Sequence, residues 1–223
     1  MAQGKLIVLE GIDGSGKSTQ FKRLCARLEA ENVPFHRVIF PRYGEPSSAL
    51  LTMYLNGVFG KNPRDVNAYA ASTFYGVDRF ASFRMDWGEY YKGGGLILSD
   101  RYTTSNAVHQ GAKVPEPELG AFLDWLYDFE FRILELPRPD LVLYMDIDLA
   151  SAERQMRARE SETRTAADIH EADLDYLRRC LWAGGAAADR FGWRRIPCVE
   201  GGKMRPVEDI HGDVFRVVQT VLR

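Results

Sequence analysis

The chain has 223 residues, of which 45% are hydrophobic and 12% aromatic, enough for one α/β domain with a sizeable core. Its 29 Lys and Arg against 31 Asp and Glu give a formal charge of −2, without the cationic excess of a sequence-independent nucleic-acid binder, although local arginine clusters can still face small anions. Cys25, Cys180 and Cys198 form neither a disulfide framework nor a metal spacing, and the opening MAQGKLIVLEG has neither a signal peptide's apolar run nor a membrane span's length, so a soluble cytoplasmic protein is expected.

Short apolar runs alternate with longer amphipathic segments, the pattern of a parallel sheet with crossover helices. KLIVLE (5–10) reads as a strand and the segment from Lys17 to about Glu31 as a helix. PFHRVIF (34–40) is a second strand, ended by the breaker PRYGEP. A short helix over SSALLTMYL and a loop, GVFGKNPRD, lead to a long helix from about Val66 to Tyr91, which Gly93, Gly94 and Gly95 terminate. GLILSD is a third strand, followed by a helix from about Pro115 to Leu134. LVLYMDI (141–147) is a fourth, with Asp148 as the N-cap of charged helices that run through Arg190. A strand around WRRIPCV and a helix after Pro206 close the chain. Neither a repeat nor a linker interrupts it, so residues 1–223 are expected to form a single domain.

The first strand runs directly into Gly11-x4-Gly16-Lys17-Ser18, the complete phosphate-loop pattern between a strand and a helix. Gly14 and Gly16 let the backbone N–H groups turn inward, and the helix N-terminus adds its positive dipole end. The expected nucleotide-binding set is Gly11, Asp13, Gly14, Ser15, Gly16, Lys17, Ser18 and Thr19. Lys17 is placed to reach the β- and γ-phosphates of ATP, and the Ser18 hydroxyl to ligate Mg²⁺. Asp13 is the anomaly, because a phosphate cradle should avoid a carboxylate.

In an open α/β sheet, ligands bind beyond the carboxyl ends of the strands. The second strand delivers Arg42 there and the third delivers Asp100 and Arg101. Asp100 reads as a second Mg²⁺-organising carboxylate. Arg42 and Arg101 are guanidinium groups beyond what one triphosphate needs, and they point to a second phosphate-bearing substrate. Each could instead pair with a surface carboxylate.

On the 66–91 helix, 100° arithmetic gathers Val66, Ala70, Val77, Ala81 and Arg84 on one side. Tyr75 falls opposite, with Arg79, Ser82 and Asp86 on its face and Asp78 at its margin. A ring one turn before an arginine suits stacking on a flat base and hydrogen bonding to its edge. The apolar side is compatible with core burial or with a dimer contact. Arg154, Arg157, Arg159 and Arg164 follow the fourth strand; Glu153–Arg157 and Glu160–Arg164 have i, i+4 spacing. They form either a solvated, salt-bridged helix or a lid, over about 150–172, that stabilises charge on a transferring phosphoryl group.

LEGIDGSGKST, FPRYG (40–44), VDR (77–79), DRYTTSNAVHQ (100–110) and the Arg-rich segment before Asp168 and Glu171 together resemble the thymidylate kinase family of P-loop nucleoside-monophosphate kinases. The resemblance implies a five-stranded parallel sheet of the P-loop type flanked by helices, with an Arg-rich lid. The implied reaction moves the γ-phosphoryl group of ATP to dTMP with Mg²⁺, in a homodimer. Carried onto this sequence, Asp13 contacts the acceptor's 3′-hydroxyl, Arg42 and Arg101 hold its phosphate, and Phe40 walls the pocket. Tyr75 stacks on thymine, Arg79 reads its O4 edge, Asn106 adds a polar contact, and His109 stands beside the sugar where relatives often carry Tyr. With no arginine inside the phosphate loop, the resemblance favours a lid arginine at the transfer centre; the four candidates stay open, and the catalytic set expected is Asp13, Lys17 and Arg101 with Arg157. A kinase for another pyrimidine nucleotide or deoxynucleoside keeps the same fold. A catalytically silent nucleotide-binding module is the reading from another class, and the sequence has no N-K-x-D guanine-reading motif.

Overall fold

A computed structural model describes the backbone of residues 4–163 and 174–222, with side chains for these residues except 159–163. Five strands form one parallel sheet: β1 (Lys5–Glu10), β2 (His36–Ile39), β3 (Leu96–Asp100), β4 (Leu141–Asp146) and β5 (Arg194–Pro197), in the order β2-β3-β1-β4-β5. β1 lies at the centre, with Leu9 opposite both Asp100 and Leu143. The apolar runs do not alternate because both faces are covered, as a parallel sheet requires; β3 is buried at every position.

Helices α1 (Lys17–Ala30) and α9 (Val207–Leu222) pack on each other and on the sheet. A second group comprises α3 (Ala68–Ser82), α6 (Leu119–Asp128) and α8 (Leu174–Phe191), gathered around the segment 103–113 that follows β3. α2 (Ala49–Leu55) packs on α3, and α7 (Leu149–Thr163) follows β4. Asp148 caps α7 by accepting the Ser151 N–H at 2.8 Å, as its position after an apolar strand predicts.

Several boundaries differ from the sequence reading. The second strand is confined to four residues at an edge of the sheet, and Pro41, which has no N–H for the ladder, follows its carboxyl end. The long helix begins at Ala68, where the Asn67 side chain caps it by accepting from Ala70 N, and it passes through a wider turn at Phe83–Trp87 before α4 (Gly88–Lys92). The helical turns across Thr103–Lys113 and the small hairpin of β6 (Val199–Glu200) and β7 (Lys203–Met204) carry no clear periodicity in the sequence.

The structure also decides which face of α3 is buried, a choice the helical repeat leaves open. The polar side is the inner one. Ser72, Asp78, Arg79 and Ser82 are buried, whereas Val77 is 50% exposed and Phe80 40%. Burial of these polar groups is tolerated because each has a partner: Ser72 Oγ donates to the Ala68 carbonyl, Ser82 Oγ accepts from Trp87 Nε1, and Arg79 is paired with Glu130.

Candidate active site

Two adjoining depressions lie at the carboxyl ends of β1 and β3. The first is the phosphate loop, lined by Ile12 to Thr19 and by Gln155 of α7. Gly14 and Gly16 both have φ near +79°, conformations that side chains with a Cβ resist. A Cβ on Gly14 would stand 2.4 Å from the Ala152 carbonyl oxygen, so this glycine also sets how closely α7 approaches the loop. Ser15 Oγ is buried in the cradle without a partner among the described residues, as a donor awaiting an anion would be. Ser18 and Thr19 are exposed at the mouth.

Lys17 Nζ is buried and ion-paired with Asp100 Oδ1. Burial, then the neighbouring Arg101 cation, holds the Lys17 ammonium below its ordinary pKa, against the opposing pull of Asp100 and Glu10. A phosphate placed in the cradle would add negative charge to this cluster and relieve it.

The second depression is a cavity of about 200 Å³, open to solvent. Phe40, Pro41 and Tyr43 wall it from the loop after β2, and Leu55 from α2. Tyr75 and Arg79 face it from α3, while Arg101, Tyr102, Ser105, Asn106, His109 and Gln110 come from the chain after β3. Asp13 lines both depressions. Its carboxylate accepts from Arg101 Nη2 at 2.8 Å. Arg101 has φ 66°, a left-handed conformation rare for a side chain of this size, and its N–H is held by the Leu9 carbonyl at 3.0 Å. Burial lowers the affinity of its guanidinium for a proton, but Asp13, Glu10 and Asp100 outweigh it and the pKa lies above the ordinary value. Arg101 Nη1 lies 3.1 Å from His109 Nε2, which accepts because a guanidinium N–H can only donate.

The sequence-predicted residues Asp13, Phe40, Tyr75, Arg79, Arg101, Asn106 and His109 are thus brought to one cavity. Arg42 is not part of its lining; its guanidinium lies 3.7 Å from Glu45, and its N–H donates to Asp78. Arg157 does not line the phosphate loop: it is exposed on α7 and paired with Glu153, the solvated alternative of the spacing reading. Arg154 donates to Ser151 Oγ and the Gly202 carbonyl. The Arg159 side chain, Arg164, Asp168 and Glu171 lie outside the described residues.

Three buried carboxylates that sequence reasoning missed hold these groups in place. Glu10 accepts from the Gly11 N–H and from the hydroxyls of Thr104 and Ser105, joining the phosphate loop to the segment after β3. Asp78 fixes the loop after β2 through Arg42 N and Ser47 Oγ. Glu130 holds Arg79, Thr103 and Asn106. The available signal for Glu10 was a carboxylate ending an otherwise apolar strand. Gln110 was also missed; its Oε1 is buried beside the cavity without a partner among the described residues.

A phosphate loop and a polar second cavity, sharing one carboxylate on one sheet edge, define a P-loop phosphotransferase with separate donor and acceptor sites. Comparison with known proteins agrees and narrows the class. The family profile described as Thymidylate kinase matches residues 9–181. A thymidylate kinase of Mycobacterium tuberculosis (strain ATCC 25618 / H37Rv) is 32% identical over 206 residues, covering 90% of this chain and 93% of that protein. One from Homo sapiens is 31% identical over 153 residues, covering 69% and 66%. The solved structure of a Candida albicans thymidylate kinase superposes with a TM-score of 0.73 at 21% identity, over 99% of this chain and 93% of that one, and shares the fold. The chain belongs to the thymidylate kinase family, a family of nucleoside-monophosphate kinases.

Proposed function

We propose that the chain transfers the γ-phosphoryl group of ATP to dTMP, giving dTDP and ADP, with the donor in the phosphate loop and the acceptor in the adjoining cavity. The observation that carries this reading is Asp13, which lines both depressions and is bonded to Arg101. Chemistry of this kind asks the protein mainly to position two anions and neutralise their charge. The backbone of Gly11 to Thr19 and Lys17 cradle the triphosphate. Arg101 takes the acceptor phosphate, with Arg42 joining it after release from Glu45. Asp13, freed from Arg101 by that phosphate, accepts from the acceptor's 3′-hydroxyl. Tyr75 stacks on the base, Arg79, Asn106 and Gln110 meet its edge, Phe40 walls the pocket and His109 stands beside the sugar.

The oxygen donors of Ser18 and Asp100 beside the cradle fit Mg²⁺, which takes one or two protein oxygens and fills its shell with phosphates and water. When bound, the ion neutralises charge on the β- and γ-phosphate oxygens. Asp100 meanwhile holds Lys17 at the cradle.

A homodimer through the outer face of α3 and of the wider turn that follows it is the proposed assembly, supported by the exposure of Val77, Phe80 and Met85. Among the described residues no helix is long and apolar enough to cross a membrane. The three cysteines are buried and free, which supports a cytoplasmic setting. ADP release in the presence of ATP, Mg²⁺ and a panel of nucleosides and monophosphates tests the reaction. Turnover is expected to be fastest with dTMP; rapid turnover of a nucleoside with none of dTMP, or ATP hydrolysis indifferent to every acceptor, would refute it.

A further inference from the structure

We propose that Glu130 is a positioning residue that sets the base preference of the acceptor site by fixing which atoms of Arg79 and Asn106 face the nucleotide, an inference that rests on the acceptor reading above. Glu130 is fully buried behind the cavity wall and is not part of its lining. Its Oε2 accepts from Arg79 Nε and Thr103 Oγ1, both at 2.6 Å. Its Oε1 accepts from Arg79 Nη2 at 2.5 Å and Asn106 Nδ2 at 3.2 Å. Two donors per oxygen saturate a carboxylate in ordinary geometry.

The consequence lies in what is left over. A guanidinium has five N–H groups. Two of Arg79's are committed to Glu130 and one to the Tyr102 carbonyl, and what this residue can offer the cavity it lines is therefore a donor, never an acceptor. Asn106 Nδ2 has two hydrogens, and these meet Glu130 and the Ser72 carbonyl at 3.1 Å. The amide therefore has Oδ1, an acceptor, for a ligand. Because Glu130 and the Ser72 carbonyl can only accept, together they forbid the flipped amide, in which Oδ1 would face two acceptors. The pair thus presents a donor beside an acceptor. That polarity matches the 4-oxo and N3–H edge of thymine or uracil and opposes the 4-amino and bare N3 edge of cytosine.

Glu130→Gln tests this. The glutamine amide presents N–H groups where only acceptance is tolerated, so an Arg79 N–H loses its partner and the Asn106 amide keeps only the Ser72 carbonyl to orient it. Steady-state kinetics with dTMP and dCMP, at saturating ATP, should show a raised KM for dTMP with a smaller change in kcat. The ratio of kcat/KM for dTMP over dCMP should fall about tenfold or more. The KM for ATP should hold within about threefold, which reports an intact donor site. Glu130→Asp, which keeps the charge but withdraws it by one methylene, should lower the ratio in the same direction, and serves if the glutamine variant does not fold. Equal losses with both acceptors, leaving the ratio unchanged in a folded variant, would make Glu130 a packing residue only and overturn the inference. A wild-type protein without activity on dTMP would overturn the acceptor reading itself, an outcome distinct from an unchanged ratio.

Discussion

Arg101 Nη2 donates to Asp13 Oδ1 across 2.8 Å, tying the chain that leaves β3 to the middle of the phosphate loop. On the proposed reading each group would hold the place of a substrate atom, Arg101 that of the acceptor's hydroxyl at Asp13 and Asp13 that of its phosphate at Arg101. Replacing Arg101 by Ala should lower kcat/KM for dTMP by about 10² or more. ATP binding, followed by calorimetry, should change by less than about threefold, since Arg101 does not line the phosphate loop. Parallel losses of ATP binding and transfer would contradict its assignment to the acceptor.

Gly14 and Gly16 share φ +79° but not their surroundings. A Cβ at Gly16 meets nothing within 4 Å, whereas one at Gly14 stands 2.4 Å from a backbone oxygen of α7. Gly16→Ala should therefore cost only the left-handed strain, about 1–2 kcal/mol. Gly14→Ala should cost distinctly more, because α7 must shift. Urea denaturation of the two variants without nucleotide checks the order; equal midpoints would mean that Ala152 does not press on the loop.

Lys113 links α2 to the segment after β3, its Nζ donating to Tyr54 Oη at 2.7 Å and to the Val66 carbonyl at 3.1 Å. Burial pulls its pKa from the ordinary 10.5 to about 7. Between those values the unfolded chain holds the proton and the folded chain does not, so raising the pH stabilises the fold, by up to about 1.4 kcal/mol per pH unit. The melting temperature of the wild type should accordingly rise relative to that of Lys113→Met between pH 7 and 9.5. A difference independent of pH would place the Lys113 ammonium in water.

Arg157 pairs with Glu153 one turn earlier on the exposed side of α7. An exposed i, i+4 pair stabilises a helix by about 0.3–0.5 kcal/mol. Arg157→Ala should lose no more stability than that and keep kcat within about threefold. A hundredfold fall in kcat with unchanged stability would show that this arginine reaches the transferring group during turnover.

The phosphate loop and the succession of strands and crossover helices were legible in the sequence because each depends on local rules, whereas Phe40, Asn106 and His109 of the second cavity were reached only through the family resemblance. A glycine at a tight turn, an apolar run before it and a helix start after it are set by neighbours along the chain. Even Tyr75 and Arg79 could be placed on one face from the helical repeat alone. Which face of α3 points inward could not. The apolar stripe argues for burial of Val77, yet the polar stripe is buried because Glu130, 51 residues after Arg79, closes on it. Glu10, Asp78 and Glu130 likewise look like ordinary acids in the sequence; they become pocket supports only once distant donors surround them. Local geometry and periodicity fixed where the chain turns and what it can grip. Satisfaction of buried polar groups by remote partners, which only the tertiary structure supplies, decided how those grips are aimed.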